Sequence, residues 1–74
     1  MTLKEVKPGN SCTLKVVKAE GALKQRFMDM GLVPDVEVTV VRNAPLRDPM
    51  ELKLGSFYMT IRKSEAALID VEAR

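Results

Sequence analysis

The chain contains no histidine and no tryptophan, one cysteine, one tyrosine and two phenylalanines in 74 residues. Each shortage removes a class of chemistry. Without imidazole there is no Ser-His or Cys-His nucleophile and no histidine base. One cysteine cannot make an internal disulfide, and it cannot supply the Cys/His sets of the common zinc sites. The four glycines stand alone at Gly9, Gly21, Gly31 and Gly55, so no glycine-rich phosphate loop is present. No two carboxylates are paired in an apolar setting, as hydrolysis by carboxylates alone would require. The sequence therefore reads as that of a non-enzyme. Apolar runs are short, the longest being Ala66–Ile69, far below a membrane span. No apolar stretch follows Met1-Thr2-Leu3-Lys4-Glu5, so a cytoplasmic chain is expected.

What is present suits one small domain covering residues 1–74. Hydrophobic residues make up 46% and charged residues 30%, which argues against disorder. Twelve Lys and Arg against ten Asp and Glu leave +2, too little to predict a polyanion partner.

Most of the chain alternates with the period of a strand. In Cys12–Lys18, Cys12, Leu14 and Val16 oppose Thr13, Lys15 and Val17. In Asp35–Arg42, Val36, Val38 and Val40 form the apolar set, and Val41 breaks the polar face, which predicts partial cover there. Met50–Leu54 and Phe57–Ile61 alternate on either side of Gly55-Ser56, the length and type of a tight hairpin turn. Such a turn sets Leu54 opposite Phe57, Leu52 opposite Met59 and Met50 opposite Ile61, with all six on the core face. Leu68–Glu72 is a last strand, with Ile69 and Val71 inward.

One helix interrupts this pattern. Leu23, Phe27 and Met30 form a single stripe, Gly31 suits a left-handed cap, and Pro34 forbids continuation. A second helical turn is expected to start at Ser64, its hydroxyl capping Glu65-Ala66-Ala67. The fold expected is mainly β, a small barrel of about five strands with one short helix after the first strand.

Three stretches resemble the FeoA family. The first is Leu23-Lys24-Gln25-Arg26-Phe27-Met28-Asp29-Met30-Gly31-Leu32-Val33-Pro34. The second is Ala44-Pro45-Leu46-Arg47-Asp48-Pro49-Met50. The third is Ile61-Arg62-Lys63-Ser64-Glu65-Ala66 with Ile69-Asp70-Val71. They lie in the family's order over nearly the whole chain, and Leu3 and Gly9 also fit. Two positions depart from the family pattern: Asp35 stands where glycine usually follows the proline, and Arg47 stands where glycine is frequent. The resemblance implies an SH3-like barrel and a cytosolic accessory role in ferrous iron transport. It implies as partner the membrane transporter FeoB, through its cytosolic GTP-binding domain, so that the membrane is met only indirectly. The family is also associated with transition-metal binding. The similar barrel of iron-dependent repressors keeps open a second reading, a metal-responsive regulatory module.

The candidate partner-binding residues are Arg26, Arg47, Asp48, Pro49 and Tyr58. Arg26 and Asp29 are three apart and are expected to pair on the exposed side of the helix, with Arg26 facing a partner. Pro45 and Pro49 stiffen the 44–49 loop, which lowers the entropy lost on docking. Asp48 is positioned to cap its own turn, and Arg47 puts a cation at the tip. Tyr58 is expected outward and Phe57 inward, since they are adjacent on one strand. Cys12, Met50 and Met59 fall on the inward face and are expected as core rather than as soft-metal ligands. Exposed carboxylates leave room for a weakly held divalent metal ion, or for one between two weakly associating copies. Arg42, Arg47, Arg62 and Lys63 are interleaved with Glu37, Asp48 and Glu51, which speaks against nucleic acid.

Overall fold

A computed structural model describes residues 1–74, and its architecture follows from the alternation just outlined. A short 3-10 turn, Leu3–Glu5, precedes strand β1 (Ser11–Val17) and helix α1 (Gly21–Asp29). Strands β2 (Glu37–Arg42), β3 (Met50–Leu54) and β4 (Phe57–Ile61) follow, then helix α2 (Lys63–Ala66) and strand β5 (Ile69–Ala73). The five strands form one antiparallel sheet in the order β4-β3-β2-β1-β5, so β4 and β5 are its outer strands. The molecule measures 29 × 24 × 23 Å. The first residues close against β5: Thr2 bridges Asp70, and the Val71 N–H donates to the Met1 carbonyl at 2.9 Å.

The concave face of the sheet buries Cys12, Leu14, Val38, Val40, Met50, Leu52, Ile69 and Val71. Phe27 of α1 and Leu3 of the first turn fill this core from outside the sheet, both fully buried. Helix α1 ends as its sequence predicts. Gly31 takes φ +89°, the Leu32 N–H reaches the Phe27 carbonyl at 2.9 Å, and the Gly31 N–H reaches that of Met28 at 3.0 Å. This pair of bonds satisfies carbonyls that the helix end leaves open, and it draws Leu32 into the core. Asp35 adopts φ +73° in place of the family's glycine, and its N–H donates to the Leu14 carbonyl at 2.7 Å.

The β3–β4 hairpin has the predicted register: Leu54 opposite Phe57, Leu52 opposite Met59, and Met50 opposite Ile61. Three expectations are corrected. First, Phe57 is not core but 74% exposed: β4 is an edge, and its first residue lies beyond the layer that covers Leu52 and Met50. Second, the pairing of β1 with β5 shifts between Leu14 and Val16, and this bulge turns Val16 to the surface and Val17 toward the core. A matching shift between Val40 and Arg42 leaves Val41 unpaired, and its side chain, 38% exposed, has the partial cover expected of it. Third, α2 begins one residue before Ser64. Its first backbone donors are met by carboxylates: Glu65 Oε1 accepts the Arg62 N–H at 3.2 Å, and Asp48 accepts the Lys63 N–H.

Candidate interaction surface

The elements converge on one side of the sheet, where α1, the 44–49 loop, β4 and α2 enclose an open cleft of about 630 Å³. Its walls include Arg26, Asp48, Pro49, Thr60, Arg62 and Glu65. Three of the five residues expected at a partner surface, Arg26, Asp48 and Pro49, thus come together from parts of the chain far apart in sequence. Tyr58 stands in an adjoining, more apolar groove of about 710 Å³ with Leu54, Phe57 and Met59. Met30 lines both spaces and joins them. Tyr58 is 61% exposed, and Lys53 Nζ lies 5.5 Å from its ring centre.

Arg26 does not pair with Asp29. Its guanidinium donates to Glu65 on α2, and Asp29 instead accepts from Gln25 Nε2 at 2.9 Å. Glu65 is the better partner because its side chain is largely enclosed and already fixed by the Arg62 N–H. Asp48 does not close its own turn. It reaches across to the Lys63 N–H at 2.9 Å, so it caps α2 from the neighbouring loop.

The 44–49 loop is held at several points. Asn43 Nδ2 donates to the carbonyls of Lys4 at 2.9 Å and Val6 at 2.8 Å. The Lys63 ammonium donates to the Ala44 carbonyl, and the Arg47 N–H donates to that same carbonyl at 3.2 Å. Leu46 at the tip is fully exposed and has φ +62°. Glu65, Lys63 and Leu46 are functional candidates that the sequence reading passed over. Leu46 had a signal, as the one large apolar side chain between Pro45 and Arg47. Lys63 and Glu65 had none, because their contacts cross 19 and 39 residues of chain.

Charge on this side is not balanced. Asp48 and Glu65 are engaged within the molecule, whereas Arg47 and Arg62 form no ion pair. The charged pairs elsewhere, Lys18–Asp70 at 3.1 Å and Arg74–Glu37 at 3.1 Å, lie on other faces of the sheet.

The donor chemistry does not make a metal centre. No three of the Cys, Asp and Glu side chains come together. Cys12 is buried, and burial pushes its thiol above the ordinary range, which keeps it protonated and a poor ligand. No helix is long and apolar enough to cross a membrane.

Comparison with known proteins places these features in a family. The FeoA domain model matches residues 1–73. A Porphyromonas gingivalis protein, described as a Fe(2+) transport protein A/Fe(2+) transporter FeoB fusion protein, is 35% identical over 72 residues, 97% of this chain but 8% of that one. The solution structure of iron(II) transport protein A from Clostridium thermocellum is 40% identical with a TM-score of 0.91, covering 99% of this chain and 45% of that one. The crystal structure of Stenotrophomonas maltophilia FeoA complexed with zinc, described as a prokaryotic SH3 domain protein, is 29% identical with a TM-score of 0.85, covering 97% of this chain and 89% of that one. The five-stranded sheet is therefore SH3-like, and the chain belongs to the FeoA domain family.

Proposed function

We propose that this chain is a cytosolic accessory module of ferrous iron transport that docks on the cytosolic GTP-binding domain of a FeoB-type transporter. The observation that carries this reading is the fusion: a relative 35% identical over 97% of this chain is joined to a FeoB transporter in one polypeptide. Genetic fusion holds two modules at high effective concentration, which is useful when their separate affinity is modest. The side formed by Arg26, the 44–49 loop and α2 suits docking, since two prolines and several hydrogen bonds already hold its loop in place. Tyr58 extends that surface along β4. The membrane is met only through the transporter.

Docking changes the transporter's cycle only if its nucleotide states are bound with different affinity. The test is a titration of the labelled chain with the purified GTP-binding domain, empty and loaded with GDP or with a non-hydrolysable GTP analogue. Saturable binding that differs between states is the result expected. Absence of saturable binding in all three states overturns the reading.

A further inference from the structure

We propose that Leu46 is the apolar anchor of the docking surface, that Lys63 holds it in place, and that its complement is an apolar pocket rimmed by carboxylates on the partner. The proposal rests on the docking reading given above. A single exposed leucine is ordinary on a protein surface. Leu46 differs in two respects. It is fully exposed, so it contributes no packing to the fold. It also sits at φ +62°, where a leucine backbone is strained and glycine or asparagine is the usual occupant. Strain of this kind persists only where neighbouring structure enforces it.

The enforcement is visible. The Lys63 side chain bonds the Ala44 carbonyl on one limb of the loop, and the Lys63 backbone N–H bonds the Asp48 carboxylate on the other. Asn43 fixes the base through two carbonyls, and Pro45 and Pro49 limit φ on both sides of the tip. A loop pinned in this way loses little freedom when it docks.

Charge selects the kind of pocket. Arg47, next to Leu46, has no carboxylate partner, nor has Arg62 in the cleft, and the Lys63 ammonium bonds only a carbonyl, whereas Glu65 is neutralised by Arg26. The complement of a leucine followed by an unpaired guanidinium, on a side of the molecule rich in cations, is an apolar cavity with an acidic rim.

The experiment measures binding kinetics of the full chain on the immobilised GTP-binding domain of a FeoB-type transporter. Leu46→Asn keeps a residue that tolerates the left-handed backbone, so folding is preserved. It is expected to weaken binding about tenfold, as loss of a central anchor does, through faster dissociation, while the unfolding midpoint rises slightly as the backbone strain is relieved. Arg47→Glu is expected to slow association and flatten its salt dependence. Lys63→Met is expected to weaken binding and move the amide resonances of residues 44–48 toward random-coil positions, while Lys63→Arg, which keeps a cationic donor, restores both. Wild-type binding that Leu46→Asn leaves within about twofold overturns the anchor and leaves the docking reading standing. Lys63→Met that binds as wild type overturns the positioning role. Failure of the wild-type chain to bind at all overturns the docking reading, and the anchor with it.

Discussion

The Arg26 guanidinium on α1 donates to the Glu65 carboxylate on α2, and the same carboxylate accepts the Arg62 N–H at 3.2 Å. The two ends of this contact are therefore unequal. Arg26→Ala removes a half-exposed charge and is expected to cost about 0.5 kcal/mol. Glu65→Ala also opens the start of α2 and is expected to cost about 1–1.5 kcal/mol. Urea unfolding of both variants measures the difference, and equal losses would show that the helix-start bond contributes nothing.

Leu52 and Phe57 share one face of the hairpin but not its environment. Leu52→Ala leaves a cavity in the middle of the core and is expected to cost about 2–5 kcal/mol. Phe57→Ala, at an exposed edge position, is expected to stay within about 0.5 kcal/mol of wild type. Thermal unfolding distinguishes them directly.

Cys12 links stability to alkaline pH. Burial raises its thiol in the folded chain, whereas the unfolded thiol ionises in its ordinary range. Its contribution is therefore complete below about pH 8 and declines as pH rises past the unfolded value, because only the unfolded state then gains the thiolate. Cys12→Ala is expected to lessen the fall in stability between neutral and alkaline buffer. Native protein is likewise expected to react with iodoacetamide far more slowly than protein in denaturant.

Gly31 ends α1 at φ +89°, and an added Cβ would meet Leu54 Cδ2 at 3.8 Å, an ordinary contact. The cost of Gly31→Ala is thus backbone strain, about 1–2 kcal/mol. Gly31→Asn, which accepts the left-handed region more readily, is expected to lose less. Calorimetric midpoints of the two variants check the order.

The sequence carried the hairpin because two independent signals, alternation and a two-residue turn, required the same register. It carried the end of α1 because Gly31 and Pro34 are local signals. It did not carry the bulges at Lys15 and Val41, since an extra residue in one strand is defined only against its partner. Phe57 was misplaced for a related reason: alternation gives the face of a residue, not how far cover extends along it. Of the candidate surface, Arg26, Asp48 and Pro49 were legible as a helix charge and a stiff loop. Their true partners, Glu65 and Lys63, were not, because surface contacts between distant segments leave no periodic trace.

The hydrogen bond from the Val71 N–H to the Met1 carbonyl has a topological outcome. Met1 and Val71 are neighbours, so a brief connector would join the two ends of the chain and new termini would be cut at Gly55-Ser56 without moving any strand. In such a rewired molecule the β1–β5 pairing becomes local while the β3–β4 pairing becomes the most distant along the backbone, so the order in which the sheet assembles is expected to change.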